Sequence, residues 1–309
     1  MVVGGGAIGV CCALELARRR ARVTLLERGS ELAAGASSGN AGVLAPSHSS
    51  PIANPTALRT GLRSMWRDSP FSLRRPTAAP WLVRFAAASR GGRAARGTEV
   101  LRELALAGLD LHAELFEQGL ATGFERHGVL NVYESDDTLA AAHAHARTTG
   151  MRFEILGPAE TAELEPAVTR RIAGSVYFPD EAHVDPLGFV YAVGRAAAEV
   201  GTTLRMEVEV ERLRRSNGGL VVETSKGPFH ADVVVLAAGA WSARLAEPLG
   251  VRIPLEGGKG YHVDLTSDRT RDPRIPISLD GQNVMATPLP GRLRLSGTLE
   301  LAGLDTSIN

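Results

Sequence analysis

The chain opens on a short apolar run, Met1 to Val3, followed by a glycine-rich stretch, Gly4 to Gly9, helical text from Cys12 to Arg20, and a second apolar run from Arg22 to Glu27. Continuous apolar runs of this kind belong to parallel strands covered on both faces. The first run is short for a strand, which usually holds ~5–6 residues, so either the start is misassigned or the chain is clipped there. From Gly35 to Pro55 the text turns to Gly, Ser, Ala, Asn and Pro, which is loop chemistry; so long a loop in a compact domain is more often functional than idle. Leu101, Leu104, Leu111 and Leu115 then recur at helical spacing between charged residues, with Gly119 as the stop.

Strand text returns at Gly128 to Tyr133, and a second helix runs from Asp137 to Thr149 and ends at Gly150. A strand at Ile172 to Phe178 precedes a helix at Leu187 to Val200, which Asp185 caps and Pro186 starts. Thr202 to Leu213 reads as one strand, Gly219 onward as another, and Val233 to Leu236 as a buried parallel strand. The segments Gly260 to Leu265 and Arg292 to Gly297 alternate polar and apolar, as a half-exposed antiparallel sheet does.

At 309 residues, 44% hydrophobic and 22% charged, the chain is expected to be a globular protein with room for two domains. Lys+Arg and Asp+Glu both number 34, a balance that argues against a nucleic-acid partner. One stretch departs from it: Arg59, Arg63, Arg67, Arg74, Arg75, Arg84, Arg90, Arg93 and Arg96 stand against the single acid Asp68, with Trp66, Phe71, Trp81 and Phe85 between them. That mixture suits an anionic membrane surface, although solvated helix faces are the plainer reading. The only cysteines, Cys11 and Cys12, are adjacent and cannot readily bridge each other. They fit core packing in a reducing compartment. No apolar run reaches the ~18 residues of a membrane span, and no basic segment precedes an apolar one as in a signal peptide. A cytoplasmic protein is expected, at most peripheral on the inner face of the membrane.

Gly4-Gly5-Gly6-Ala7-Ile8-Gly9 satisfies G-x-G-x-x-G directly after a strand and at the start of a helix, and Glu27 ends the next strand 18 residues after Gly9. Gly4 permits the tight turn, Gly6 lets a diphosphate approach the backbone, Gly9 allows close helix packing, and Glu27 accepts from a ribose hydroxyl. The helix N-terminus supplies N–H groups and partial positive charge to the phosphates. These features define an α/β protein with a Rossmann-like dinucleotide-binding domain interleaved with an α+β substrate domain on a mixed, largely antiparallel sheet. The expected boundaries are 1–50 and 184–250 for the first and 51–183 and 251–309 for the second. NAD and FAD both use this fingerprint, and the glycines leave the choice open.

The stretch Gly35 to Gly42, GASSGNAG, resembles the flavin loop of the D-amino-acid oxidase superfamily of FAD oxidoreductases, which includes glycine oxidase, sarcosine oxidase and D-amino-acid dehydrogenase. Ser69 to Phe85, Glu165-Pro166, Val176 to Pro186, Ala231 to Ser242 and Pro254 to Leu265 extend the resemblance and look most like the bacterial D-amino-acid dehydrogenases. The resemblance implies FAD as cofactor. Ser37, Ser38, Asn40, Ala41 and Gly42 would contact its phosphates and ribityl or ring portion, Val210 its adenine through the backbone, and Ala238 and Gly239 would close over the nucleotide. Arg28 and Trp241, beside Glu27 and Gly239, join this set. Members of that family continue past the equivalent of Arg292 to Gly297 with further strands, a second flavin loop and a final helix, so a C-terminal part is expected beyond Asn309.

A flavin enzyme takes the hydride on its cofactor, so the protein mainly has to position the substrate. An amino-acid substrate calls for a cationic or hydroxyl clamp on its carboxylate. Arg294 and Tyr261 are the candidates, and His48 could face the ring. Arg292 and Arg294 share one strand face, and solvent is the ordinary destination of charge on an antiparallel sheet. Tyr261 could equally be a core residue, and His48 an ordinary surface histidine. His143 and His145 stand two apart on a helix and do not converge on a metal, and no G-x-S-x-G or H-E-x-x-H motif competes. The expected activity is oxidation of a D-amino acid to a 2-oxo acid and ammonia, with quinone or oxygen as electron acceptor. The alternatives are oxidation of glycine, sarcosine or a proline derivative, a truncated non-catalytic flavin-binding protein, and a nicotinamide dehydrogenase.

Overall fold

The computed structural model describes residues 1–50, 71–73, 79–88, 92–120, 123–169, 171–268, 270–301 and 303–308. Arg59, Arg63, Trp66, Arg67, Arg74, Arg75 and Arg90 of the arginine-rich stretch lie outside them. The described chain builds two main sheets. One is four-stranded and all parallel, in the order Val235–Leu236, Val2–Val3, Thr24–Leu26, Thr203–Arg205. The other is mixed and mostly antiparallel, with Gly258–Thr266, Arg292–Leu301, Val284–Leu289, Ile277–Leu279, Val129–Tyr133, Gly174–Phe178 and Glu154–Leu156 in that order, and Phe71–Leu73 added beside Arg292–Leu301.

Helices Ala7–Arg18 and Pro186–Glu199 pack together beside the parallel sheet. Val10, Ala13 and Leu14 of the first share one core with Val190, Val193 and Ala197 of the second. A Cβ on Gly194 would stand 2.3 Å from the end of the Leu32 side chain, which would have to shift. The second helix begins as expected: Asp185 accepts from the Leu187 N–H at 3.3 Å and Pro186 occupies the first turn. Helix Asp136–Thr149 likewise starts on a capping Ser135 and stops at Gly150, whose φ is 71°.

Three expectations are corrected. The opening helix starts at Ala7 rather than Cys12, because the last three residues of the glycine motif already form its first turn. Thr202 to Leu213 is two strands: Thr203–Arg205 joins the parallel sheet, Glu207 turns the chain at φ 57°, and Val210–Ser216 enters a separate three-stranded antiparallel sheet. Of Val233 to Leu236 only Val235–Leu236 pairs, at the edge of the parallel sheet, and Val233 is exposed. The helix expected from the leucine spacing is present as Arg93–Glu117, and its Leu101, Leu104 and Leu111 face outward, Leu104 at 65% exposure. That helix buries the side carrying Leu109, and its His112 stacks on Phe189 with ring centroids 4.7 Å apart.

Candidate functional site

The glycine turn is built so tightly that side chains are excluded from it. Gly4 has φ 108°, and a Cβ there would lie 2.4 Å from the Ala237 carbonyl oxygen; a Cβ on Gly9 would lie 1.8 Å from the oxygen of Gly4. Gly6 caps the opening helix without a side chain of its own. The Ala7 N–H donates instead to Ser37 Oγ at 3.0 Å, which brings the flavin-like loop against the helix N-terminus. Ile8 stands in that first turn 69% exposed, an apolar surface left at the lip of the turn.

Glu27 is held from two sides, its Oε2 accepting from the Gly5 N–H at 2.6 Å and its Oε1 from the Gly29 N–H at 2.8 Å. The glycine turn and the end of the second parallel strand are thereby tied to one carboxylate, and each oxygen keeps lone-pair capacity for a further donor. Beside it, the Arg28 guanidinium lies 3.8 Å over the Trp241 ring, joining the end of this strand to the short turn Gly239–Trp241. Ala238 packs with Val3, Leu26 and Val210 in one apolar cluster. Gly239 has φ 53° and open space where a Cβ would be. Cys11 and Cys12 are unlinked thiols, and burial pushes Cys11 up to about 11, away from nucleophilic use at neutral pH.

Arg294 overturns the expectation that it meets solvent. It is 3% exposed, and its guanidinium makes four charge-assisted hydrogen bonds. Nε and Nη2 donate to the two carboxylate oxygens of Asp264, each at 2.8 Å; Nη1 donates to the carbonyls of Ser38 and Asn40, each at 2.7 Å. With four of five N–H groups engaged, Arg294 clamps the loop from below and is not disposed to clamp a substrate carboxylate. Asn40 tightens the same loop by accepting from the Gly42 N–H at 2.8 Å, while Ser38 Oγ donates back to Gly35. Ala41 lies half-buried between them. The Arg294 bonds, with Arg292 nearby, hold the Asp264 carboxyl below the usual carboxylate range. A depressed folded value means that this stabilisation is present above the unfolded value and is lost as pH falls through the folded one. The loop tether should therefore survive mild acid and release only below the ordinary carboxylate range. An acid titration of bound-flavin fluorescence checks this, and Asp264→Asn should remove that step.

Tyr261 is also placed differently from the clamp expectation. Strand alternation puts it on the sheet face opposite Asp264, where its hydroxyl donates to buried Glu300 at 2.6 Å. His48 fares otherwise. It ends the turn Pro46–His48 that follows the flavin-like loop, is open to solvent, and sits with Nε2 3.4 Å from Asn131 Nδ2. Burial of part of the ring, with His145 as a second cause, lowers its pKa, so the neutral ring is favoured.

Register places the residues around His48 on one surface. Asn131 pairs with Ser278, Ser278 with Met285 and Met285 with Ser296; the next row is Thr287, Arg294 and Asp264. All therefore lie on the sheet face that carries the loop. Asn131 Oδ1 and Thr287 Oγ1 are buried there without a hydrogen-bond partner among the described residues. Such atoms each cost about 1–3 kcal/mol when left unpaired, which fits a surface completed by a polar ligand. Asn131 was missed from sequence, although a polar residue inside the apolar run Val129–Tyr133 was the signal. Among the described residues no helix is long and apolar enough to cross a membrane, and no group of three His, Cys, Asp or Glu side chains converges on a metal position.

A glycine turn at a helix N-terminus, an acid at the end of the second parallel strand and a serine-rich loop clamped over both define a dinucleotide-binding oxidoreductase fold. The family model described as "FAD dependent oxidoreductase" (DAO) matches residues 1–309, and the chain belongs to that family. It is 33% identical over 324 residues to a D-amino acid dehydrogenase of Paramagnetospirillum magneticum, covering 100% of this chain and 76% of that protein. It is 33% identical over 327 residues to one of Cereibacter sphaeroides, covering 100% of this chain and 74% of the other. Among solved structures, glycine oxidase from Geobacillus kaustophilus superposes with a TM-score of 0.70 at 25% identity, over 100% of this chain and 73% of that one. The chain is an FAD-dependent amino-acid or amine oxidoreductase.

Proposed function

We propose that this enzyme oxidises a D-amino acid to the imino acid, which water hydrolyses to a 2-oxo acid and ammonia. The observation that carries the substrate class is the similarity to D-amino acid dehydrogenases along the whole chain. When bound, FAD supplies the hydride acceptor. In this reading 1–50 and 184–250 form the FAD-binding domain, and 51–183 and 251–309 the substrate domain. Gly4, Gly6, Ala7, Ile8 and Gly9 receive the diphosphate, with oriented N–H groups and no side chain in the way. Glu27 and Arg28 hold the adenosine ribose side, and Val210, Ala238, Gly239 and Trp241 border the adenine. Ser37, Ser38, Asn40, Ala41 and Gly42 cover the phosphates and ribityl chain, kept in place by Arg294. His48, neutral and with its Nε2 accepting from the Asn131 amide, faces the reacting end and orients the substrate by donating its Nδ1–H to the carboxylate.

The test is flavin bleaching without oxygen. Purified holoenzyme is mixed with a panel of D-amino acids, glycine, sarcosine and L-proline, and then reoxidised with either a quinone analogue or oxygen. Bleaching by one or more D-amino acids, at rates at least tenfold above glycine, is expected. Bound flavin that no D-amino acid bleaches would overturn the substrate class. Bleaching by glycine or sarcosine alone would establish the second reading, which the glycine oxidase likeness favours.

A further inference from the structure

The turn that carries His48 hangs on a buried acid. Glu181 is 0% exposed, and its Oε1 accepts from the Ser47 N–H at 2.7 Å. The Ser47 hydroxyl lies beside the same carboxyl. Glu181 is fixed in turn by its own backbone, whose carbonyl accepts from the Gly128 N–H at 2.9 Å. It leads directly into Ala182–His183, which pairs antiparallel with Val43–Leu44, the two residues that leave the flavin loop. Loop exit, turn and sheet therefore meet at this one side chain.

Among the described residues no Lys or Arg pairs with Glu181, and Oε2 has no hydrogen-bond partner. Burial raises its pKa to about 7. A carboxyl kept dry without a cation is costly. An apolar residue would fill the space at less cost but would leave the buried Ser47 N–H without an acceptor. What the carboxyl provides here is a fixed acceptor aimed at the turn.

We propose that Glu181 is a positioning residue: by accepting the Ser47 amide it fixes the Pro46–His48 turn, and so holds the His48 imidazole against Asn131 at the height where substrate meets the flavin. The proposal rests on the reading of His48 given above, but its first readout does not. Hydrogen exchange at Ser47 and His48 is compared in wild type, Glu181→Leu and Glu181→Gln, with and without FAD. Leucine should speed exchange at these amides by at least about tenfold, whereas glutamine, whose carbonyl oxygen can still accept, should stay within about twofold of wild type. Should the leucine variant fail to fold, Glu181→Asp draws the oxygen back by one methylene and is expected to speed exchange by a smaller factor. Unchanged exchange in the folded leucine or aspartate variant would overturn the proposal.

The second readout is turnover with whichever substrate bleaches the wild-type flavin. Leucine should lower kcat by about tenfold with FAD affinity unchanged, and glutamine should restore it. Faster exchange with undiminished kcat would refute the link to His48. A wild-type enzyme that no D-amino acid reduces defeats the substrate assignment, while the exchange comparison still decides what Glu181 does.

Discussion

Gly9→Ala is expected to abolish useful flavin uptake. The added Cβ would stand 1.8 Å from the Gly4 carbonyl oxygen, and because the obstacle is backbone rather than a movable side chain, either the helix backs away from the strand or the turn opens. Overpacking of this kind costs about 1–3 kcal/mol in a core. Since the distorted atoms are the N–H donors for the diphosphate, the upper end applies, roughly a hundredfold in Kd. Titrating apoprotein with FAD by fluorescence quenching measures it. Gly35→Ala in the neighbouring loop is the control: its Cβ would meet nothing within 4 Å, so affinity should change less than about twofold. Equal affinity in the Gly9 variant would mean that the turn is not where the cofactor sits.

The second large effect is expected at Arg294. Arg294→Met keeps the bulk of the stem but leaves the Ser38 and Asn40 carbonyls without their donor and Asp264 without its bidentate partner. Removing one member of a buried pair costs about 3–5 kcal/mol, so a melting temperature several degrees lower and FAD affinity down by about a hundredfold are expected. Arg294→Lys should recover little, because one ammonium cannot span a carboxylate and two carbonyls with the geometry of the planar fork. A variant that binds FAD normally and shows only a raised KM would return Arg294 to the role of substrate clamp.

The nucleotide half of the site was legible because its constraints are local. Positive φ at Gly4, close packing at Gly9 and an acid at the end of the next strand all write themselves into a span of 27 residues. Arg294 shows where such reasoning stops. Alternation correctly put Arg292 and Arg294 on one face, and both reach Asp264 there. What covers that face is a loop 254 residues away in sequence, and no period along the strand can announce it. The leucines at 101, 104 and 111 correctly announced a helix, but spacing does not say which side of it is covered, and among the described residues theirs is not. In Thr202 to Leu213, apolar alternation hid a break that only the positive φ of Glu207 reveals. Glu181 left no pattern at all, since a single acid before a short strand looks like any surface residue.

The two edges of the glycine turn come from segments more than 200 residues apart in sequence. Val2–Val3 is flanked by Val235–Leu236, the Gly4 turn rests on Ala237, and the loop above it is pinned by Arg294. During synthesis residues 1–40 leave the ribosome with the complete fingerprint but without these walls. Sequential translation at about 5–20 residues per second then leaves roughly a quarter to one minute before the last of them emerges. Cofactor loading accordingly waits until Arg294 has been made, and until then the exposed apolar strand Thr24–Leu26 depends on whatever holds nascent protein apart.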